Sequence, residues 1–229
     1  TALSRSTQRM FEALGLWPGI VAASTPITSI HVSDQGRFGF SHIDADEQGV
    51  EALGYVVINR VLGGVLQEAL DAAAHVDVLC PAAVTGVELS PDEAAVTIEH
   101  DGAPRTLRSR LLVAADGASS AVREMMGISA GKQSYGQQAV IGNLQTESPM
   151  ANRAFERFTA QGPLAVLPVA DGRAAFVWTV SESDAERVLA LDDGAFLAEL
   201  QQDERRRGIC RGRAYHTASP QFAPERHGF

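Results

Sequence analysis

LLVAADGASSAVREMMGI, residues 111–128, decides how the rest of the chain is read. It opens on a compact apolar run, residues 111–115, of the kind that forms a strand buried on both faces. The run stops at Asp116-Gly117, where glycine permits a sharp turn or a close approach of the backbone to another group. Ser119 or Ser120 can then cap a helix running through Arg123 and Met126. Strand, Asp-Gly turn and capped helix make the end of an α/β unit. Ligands of open α/β sheets sit beyond the carboxyl ends of the strands. Asp116 therefore stands where a cofactor hydroxyl or phosphate would be. A plain helix-capping Asx turn is the competing explanation. The length of the string, with Arg123 on the first turns of the helix, weighs against it.

Outward from this string the periodicity alternates between helix and strand. Met10, Phe11, Leu14 and Leu16 fall at helical spacing within residues 1–17, with Gly15 as the stop and Pro18-Gly19 as a turn. Arg5 and Arg9 read as solvated helix charges. Residues 27–42 read as two strands joined at Asp34-Gln35-Gly36, which puts Phe38 and Phe40 on one face. A β-like run at 55–59 precedes Arg60, and Val61, Leu62, Val65, Leu66 and Leu70 then recur at helical spacing. Residues 76–79 read as a short strand. Residues 83–89, 94–100 and 106–110 read as an antiparallel meander feeding the apolar run. Beyond a loop at 131–136, strands are expected at 138–146, 154–159, 164–168 and 174–180, and two short helices within 182–202. From Asp203 the character changes. Arg205, Arg206, Arg207, Arg211 and Arg213 cluster, and residues 219–229 show no periodicity.

Composition excludes several classes. The chain has 229 residues, 45% hydrophobic and 21% charged, an ordinary globular balance. A net charge of −9 gives no electrostatic support to a nucleic-acid partner. Cys80 and Cys210 are far apart and offer neither a disulfide framework nor metal-ligand spacing, as in a reducing compartment. No apolar run reaches bilayer length, and the start has no basic segment followed by an apolar one.

The 111–128 string resembles the "DG" motif of the FAD-dependent aromatic hydroxylases, the class A flavoprotein monooxygenases. Within them it is most similar to the ubiquinone-biosynthesis hydroxylases. ALGLW (13–17), ITSIHVSDQGRFGF (27–40), AFERFTAQGPLAVLP (154–168) and FVW (176–178) carry the same resemblance, which covers about the first two hundred residues. VVINRVLGGVLQEAL (56–70) resembles the family's R-x-x-L-x-x-x-L segment. The resemblance implies an α+β/α/β fold of the p-hydroxybenzoate hydroxylase type. A partial, Rossmann-like FAD-binding domain would occupy 1–25 and 50–130, with a small meander at 76–110. A mixed, mostly antiparallel substrate-domain sheet would occupy 26–49 and 131–202, leaving 203–229 as an atypical tail. It also implies FAD as cofactor, NAD(P)H as reductant, and a polyprenylated phenol and O2 as substrates. The place of action would be cytoplasmic or peripheral at the inner face of a bacterial membrane. Self-association or other ubiquinone-pathway proteins are the implied partners.

Asp116, Gly117, Arg60 and Arg123 are then the expected cofactor-binding residues. A guanidinium suits phosphate oxyanions, and Arg60 near a helix start works against the dipole, which gives it a separate reason to be there. Phe38, Phe40, Phe155, Gly162, Pro163 and Trp178 are the expected substrate-binding residues, although aromatics at alternating strand positions also form ordinary sheet cores. The family's Gly-x-Gly-x-x-Gly turn, which meets the pyrophosphate at a helix N-terminus, does not occur in the sequence, nor does its later "GD" motif. The chain is therefore expected to be a fragment, inactive alone, that binds FAD weakly and tends to self-associate. No Ser-His-Asp string, His cluster or metal-ligand pattern is present. Flavin hydroxylation asks the protein mainly to hold an electron-rich ring near activated oxygen and to exclude water. Two other classes share these features: another FAD oxidoreductase with the same turn (a halogenase or reductase), and a non-catalytic domain gripping a hydrophobic ligand.

Overall fold

The computed structural model describes residues 1–131, 133–146, 149–204 and 214–216. By contacts it divides into one unit of residues 1–69 with 135–216 and a second of residues 70–134. The first unit begins with β1 (Ala2–Ser4), which runs straight into α1 (Arg5–Ala13). Ser4 caps that helix, its Oγ accepting from the Thr7 amide at 3.2 Å. The helix expected from residue 1 starts later because Leu3 pairs with Tyr55 in a sheet and is buried there. α2 (Trp17–Val21) forms where Pro18-Gly19 suggested a turn. Proline in a first helical turn gives up no amide bond. β2 (Ser24–Ile27), β3 (Ser29–Asp34), β4 (Phe40–Asp44), β5 (Gly54–Val57) and α3 (Asn59–Ala72) follow. β5 lies between β1 and β2, antiparallel to both. Ile20, Tyr55 and Val57 bury the contact between this small sheet and its helices, with Trp17 edge-on to Tyr55 at 4.8 Å.

The second unit is the meander β6 (Ala82–Leu89), β7 (Ala94–His100) and β8 (Ala103–Ser109), with α4 (Ala121–Met125) against β6. Ala94, Val96 and Ile98 are its buried strand residues. Two expected strands are absent. Residues 76–79 have no regular structure, and Val76 and Val78 are exposed. Residues 111–115 are not a buried strand either: Leu111 is 75% and Val113 73% exposed. A strand exists only through a hydrogen-bonded neighbour. Pairing of β8 with β7 ends at Ser109, and among the described residues no strand pairs with 111–115.

Back in the first unit come β9 (Gln137–Gln145), β10 (Arg153–Phe158), β11 (Pro163–Val169), β12 (Arg173–Ser181), α5 (Glu182–Leu189), α6 (Asp193–Glu204) and β13 (Ala214–His216). They complete a seven-stranded sheet in the order β13-β9-β12-β11-β10-β3-β4. Every pairing is antiparallel except β10 with β3, so the sheet is mixed and mostly antiparallel, as expected. Tyr215 and His216 belong to β13. The arginines at 205–213 and residues 219–229 lie outside the described residues.

The two faces of this sheet have different fates. Val140, Leu164, Val166, Phe176 and Trp178 point to one face and are sealed by Ala185, Val188, Phe196 and Leu200 of α5 and α6. Arg187 of α5 ties the two helices together, donating to both carboxylate oxygens of Glu199 at 2.9 and 2.7 Å. On the opposite face Ala154 packs against Ile27 and Val56 of the small sheet, with Ile30, Leu167 and Val169 around them. Glu156 shares this second face, being paired with Ala165. Burial raises its carboxyl above the ordinary glutamate range. A carboxyl whose folded pKa lies above its unfolded one weakens the fold as pH rises through that range, because charging costs more inside than outside. Glu156→Gln is therefore expected to raise Tm at pH 7 by about 1 °C, partial exposure keeping the effect small, and to change little below about pH 4. Thermal unfolding at the two pH values is the check; an unchanged or lowered Tm at pH 7 would contradict the sign.

Candidate flavin and substrate sites

The Asp116 turn is built by its own neighbours. Ser120, almost fully buried, donates its Oγ hydrogen to Asp116 Oδ1 at 2.5 Å and accepts from the Arg123 amide at 3.0 Å. Asp116 Oδ2 accepts from the Val122 amide at 3.2 Å. These bonds, Ser120 first, hold the Asp116 carboxyl below the usual aspartate range. Its charge thus supports α4 above the unfolded carboxylate pKa, and that support is lost as pH falls through the lowered value. The Asx-type capping role is real, yet the residue is exposed, so its carboxylate stays open to a donor from outside the turn. Gly117 has φ +85°, and a Cβ built there meets nothing within 4 Å, so a ligand can approach its backbone closely. A cleft of about 570 Å³ opens beside the turn, lined by Asp116, Gly117 and Arg123 together with Leu111, Leu112 and Met126.

Arg123 donates Nη2–H to the Ala118 carbonyl at 2.8 Å, so part of its guanidinium braces the turn. Arg60 is the second residue of α3, exposed, and makes no ion pair among the described residues. It belongs to the first unit, and Asp116, Gly117 and Arg123 to the second. These residues fit the hydroxylated, chain-like part of a dinucleotide cofactor: an acceptor carboxylate, an open glycine backbone and an apolar wall. The glycine-rich helix start that would grip a pyrophosphate is not in the sequence. Among the described residues no cluster of three or more His, Cys, Asp or Glu could hold a metal, and no helix is long and apolar enough to cross a membrane.

The expected substrate residues divide between the two faces of the large sheet, because strand neighbours two apart share a face and neighbours one apart do not. Trp178 is 2% exposed and edge-on to Phe196 at 5.6 Å. It is a core residue on the helix side. Phe155 packs against that same core, and Phe155, Phe40 and fully exposed Phe38 line a separate cleft of about 720 Å³ at the β3–β4 end. Gly162 and Pro163 adjoin the other face. Gly162 closes a turn with Thr159, whose Oγ1 donates to the Gly162 carbonyl at 2.8 Å, and Pro163 opens β11 opposite Phe158. From Pro163 the register carries this face through Ala165, Val177 and Ile141, all half-exposed. The six residues therefore do not form a single wall. Sequence reasoning missed the smooth strip of Ala165, Val177 and Ile141, although the alternation in PLAVLPV contained it. It also missed His31, His42, Arg153 and Arg157, which share a cleft with Phe40.

Comparison with known proteins fits this geometry. Residues 1–206 match the family model described as "FAD binding domain". The chain is 36% identical over 203 residues to ubiquinone hydroxylase UbiL of Rhodospirillum rubrum, covering 88% of this chain and 46% of that protein. It is 27% identical to 3-demethoxyubiquinol 3-hydroxylase of Escherichia coli, covering 87% of this chain and 50% of that protein. The chain thus spans about half the length of the curated relatives it matches. Among solved structures, PqsL of Pseudomonas aeruginosa, described as a probable FAD-dependent monooxygenase, superposes with TM-score 0.72 at 24% identity, over 88% of this chain and 56% of that one. The flavin-dependent halogenase CmlS superposes with TM-score 0.67 at 18% identity, over 93% of this chain and 42% of that one. These two likenesses show the α+β fold. With its residues 1–206 accounted for by one family model, the chain belongs to the FAD-binding-domain family, alongside the ubiquinone hydroxylases.

Proposed function

We propose that this chain supplies part of the flavin site and the sheet over the substrate in an FAD-dependent monooxygenase that hydroxylates a polyprenylated phenol in ubiquinone biosynthesis, with NAD(P)H as reductant and O2 as co-substrate. The observation that carries the reading is the apolar strip that runs from exposed Pro163 through half-exposed Ala165, Val177 and Ile141, beside the Gly162 turn and on the face away from α5 and α6. A prenylated ring needs a flat, water-excluding surface more than it needs catalytic side chains. Bound FAD would supply the oxygen activation. Asp116 would accept from a cofactor hydroxyl, Gly117 would let the backbone close on it, and Arg60 and Arg123 would balance phosphate charge. Gly162 and Pro163 would set the ring's edge. Residues 1–25 and 50–130 would serve the flavin, and 26–49 and 131–202 the substrate.

Pyrophosphate affinity in dinucleotide folds comes mainly from amides at a glycine turn and helix start, and binding must also overcome lost rotational and translational freedom. The 229-residue chain is therefore expected to purify colourless, to bind FAD with a Kd of about 10 μM or weaker, and to self-associate. Asp116→Ala should abolish the residual quenching of flavin fluorescence while far-UV circular dichroism stays close to that of the parent. Tight stoichiometric quenching by a monomer, unaffected by Asp116→Ala, would overturn the assignment.

A further inference from the structure

The cleft at the β3–β4 end of the large sheet takes Arg153, Phe155 and Arg157 from the α5/α6 face of β10, with Asp34 and Glu156 also in its lining, whereas the strip assigned to the substrate lies on the other face. It is a second site, and its chemistry is specific. β10 presents Arg153, Phe155 and Arg157 in alternation, and the register sets His31 beside Phe155, His42 beside His31, and Phe40 at the same edge. The two imidazoles meet at 2.6 Å, Nδ1 of His31 to Nε2 of His42. The His31 ring lies 5.2 Å from Phe40 and 5.9 Å from Phe155, centroid to centroid. Flat rings thus form a wall, with a guanidinium on either side of Phe155.

Those guanidiniums are undercommitted. Arg153 donates Nε–H to Ser29 Oγ at 3.1 Å, and Arg157 Nε is buried without an acceptor. Neither arginine has a carboxylate at ion-pair distance among the described residues, whereas Arg37 at the rim is paired with Asp34 at 3.2 Å. A buried donor left unpaired costs free energy, and guanidinium forks match carboxylates bidentately. In a chain of net charge −9, two such cations flanking a phenyl ring are chemistry for an anion attached to a flat group. We propose that this cleft binds a small aryl carboxylate, its ring against Phe155, His31 and Phe40 and its carboxylate on Arg157 and Arg153, at a site separate from the hydroxylation surface.

The test uses the 229-residue chain and 2-naphthoate as probe, followed by equilibrium dialysis, with uncharged 2-naphthamide and acetate as comparisons. Saturable binding of naphthoate is expected, with naphthamide and acetate each about tenfold weaker or worse, since the site reads ring and charge together. Arg157→Met is expected to weaken naphthoate binding about tenfold, Arg157→Lys by less, and Arg173→Met, which removes a remote positive charge, not at all. Arg157→Lys keeps the charge and stem, so it decides the matter if Arg157→Met does not fold by circular dichroism. Equal binding of naphthoate and naphthamide, equal binding by the parent and both Arg157 variants, or no saturable binding would overturn the proposal.

Discussion

Trp178→Ala is expected to destabilise the first unit by about 3–5 kcal/mol and to lower Tm by roughly 10 °C or more. Trp178 sits in the middle of β12, between Leu164 on β11 and Val140 on β9. It is 2% exposed and edge-on to Phe196, which in turn lies 5.7 Å from Phe176. Removing the indole leaves a cavity that a sheet on one side and two helices on the other cannot close. The loss is a large fraction of the stability of a typical domain. Urea unfolding followed at 222 nm gives the midpoint; a shift worth less than about 1 kcal/mol would mean that the indole is not the keystone of this core. Trp178→Phe, which keeps a ring against Phe196, should lose clearly less.

Gly162→Ala is expected to cost about 2–4 kcal/mol, unusual for a residue in a turn. Its φ of +141° is a conformation that side chains strain to adopt, and a Cβ there would lie 2.5 Å from Thr179 Cγ2 and 2.9 Å from Thr179 Cβ. The same Cβ would come within 3.2 Å of Gln137 Nε2, which holds the neighbouring Gln161 carbonyl. Relief must come from moving the Thr159–Gly162 turn, and Pro163 with it. Thr179→Ser removes the offending methyl group and should recover part of the loss, leaving the backbone strain. If Gly162→Ala unfolds at the same urea midpoint as the parent, or if Thr179→Ser restores nothing, the close approach does not have the weight given to it.

Local patterns in the sequence were enough for the meander, where polar–apolar alternation and turn residues lie side by side, and for the helices with apolar stripes. They were not enough for residues 111–115. Leu111 and Val113 advertise a need for burial, but no local feature says whether a neighbouring strand is present to satisfy it. The expected substrate residues divide between two faces for a different reason. Phe155 and Pro163 lie on opposite faces because the β10–β11 hairpin sets Phe155 opposite Val166 and Phe158 opposite Pro163, and what Phe155 meets across β3 is set by residues about 120 positions away. Trp178 followed the ordinary rule that aromatics at alternating strand positions are core. His31 and His42 were within reach: once the hairpin is centred between residues 36 and 37, the two are opposite each other. The turn at Asp116 was legible because capping and chain reversal are local. Its role toward a cofactor is not a local property, and the structure accounts for its carboxylate first as a helix cap.

The parallel pairing of β10 with β3 has a consequence in time. β3 and β4 can zip together as soon as residue 44 is free, but the other edge of β3 stays open until residues 153–158 arrive. At synthesis rates of about 5–20 residues per second, that edge waits on the order of ten seconds, far longer than hairpin formation takes. During that interval a half-finished sheet carries an exposed row of amides and carbonyls beside Phe38 and Phe40. The nascent chain, more than the finished one, is where this fold is vulnerable to pairing with the wrong strand.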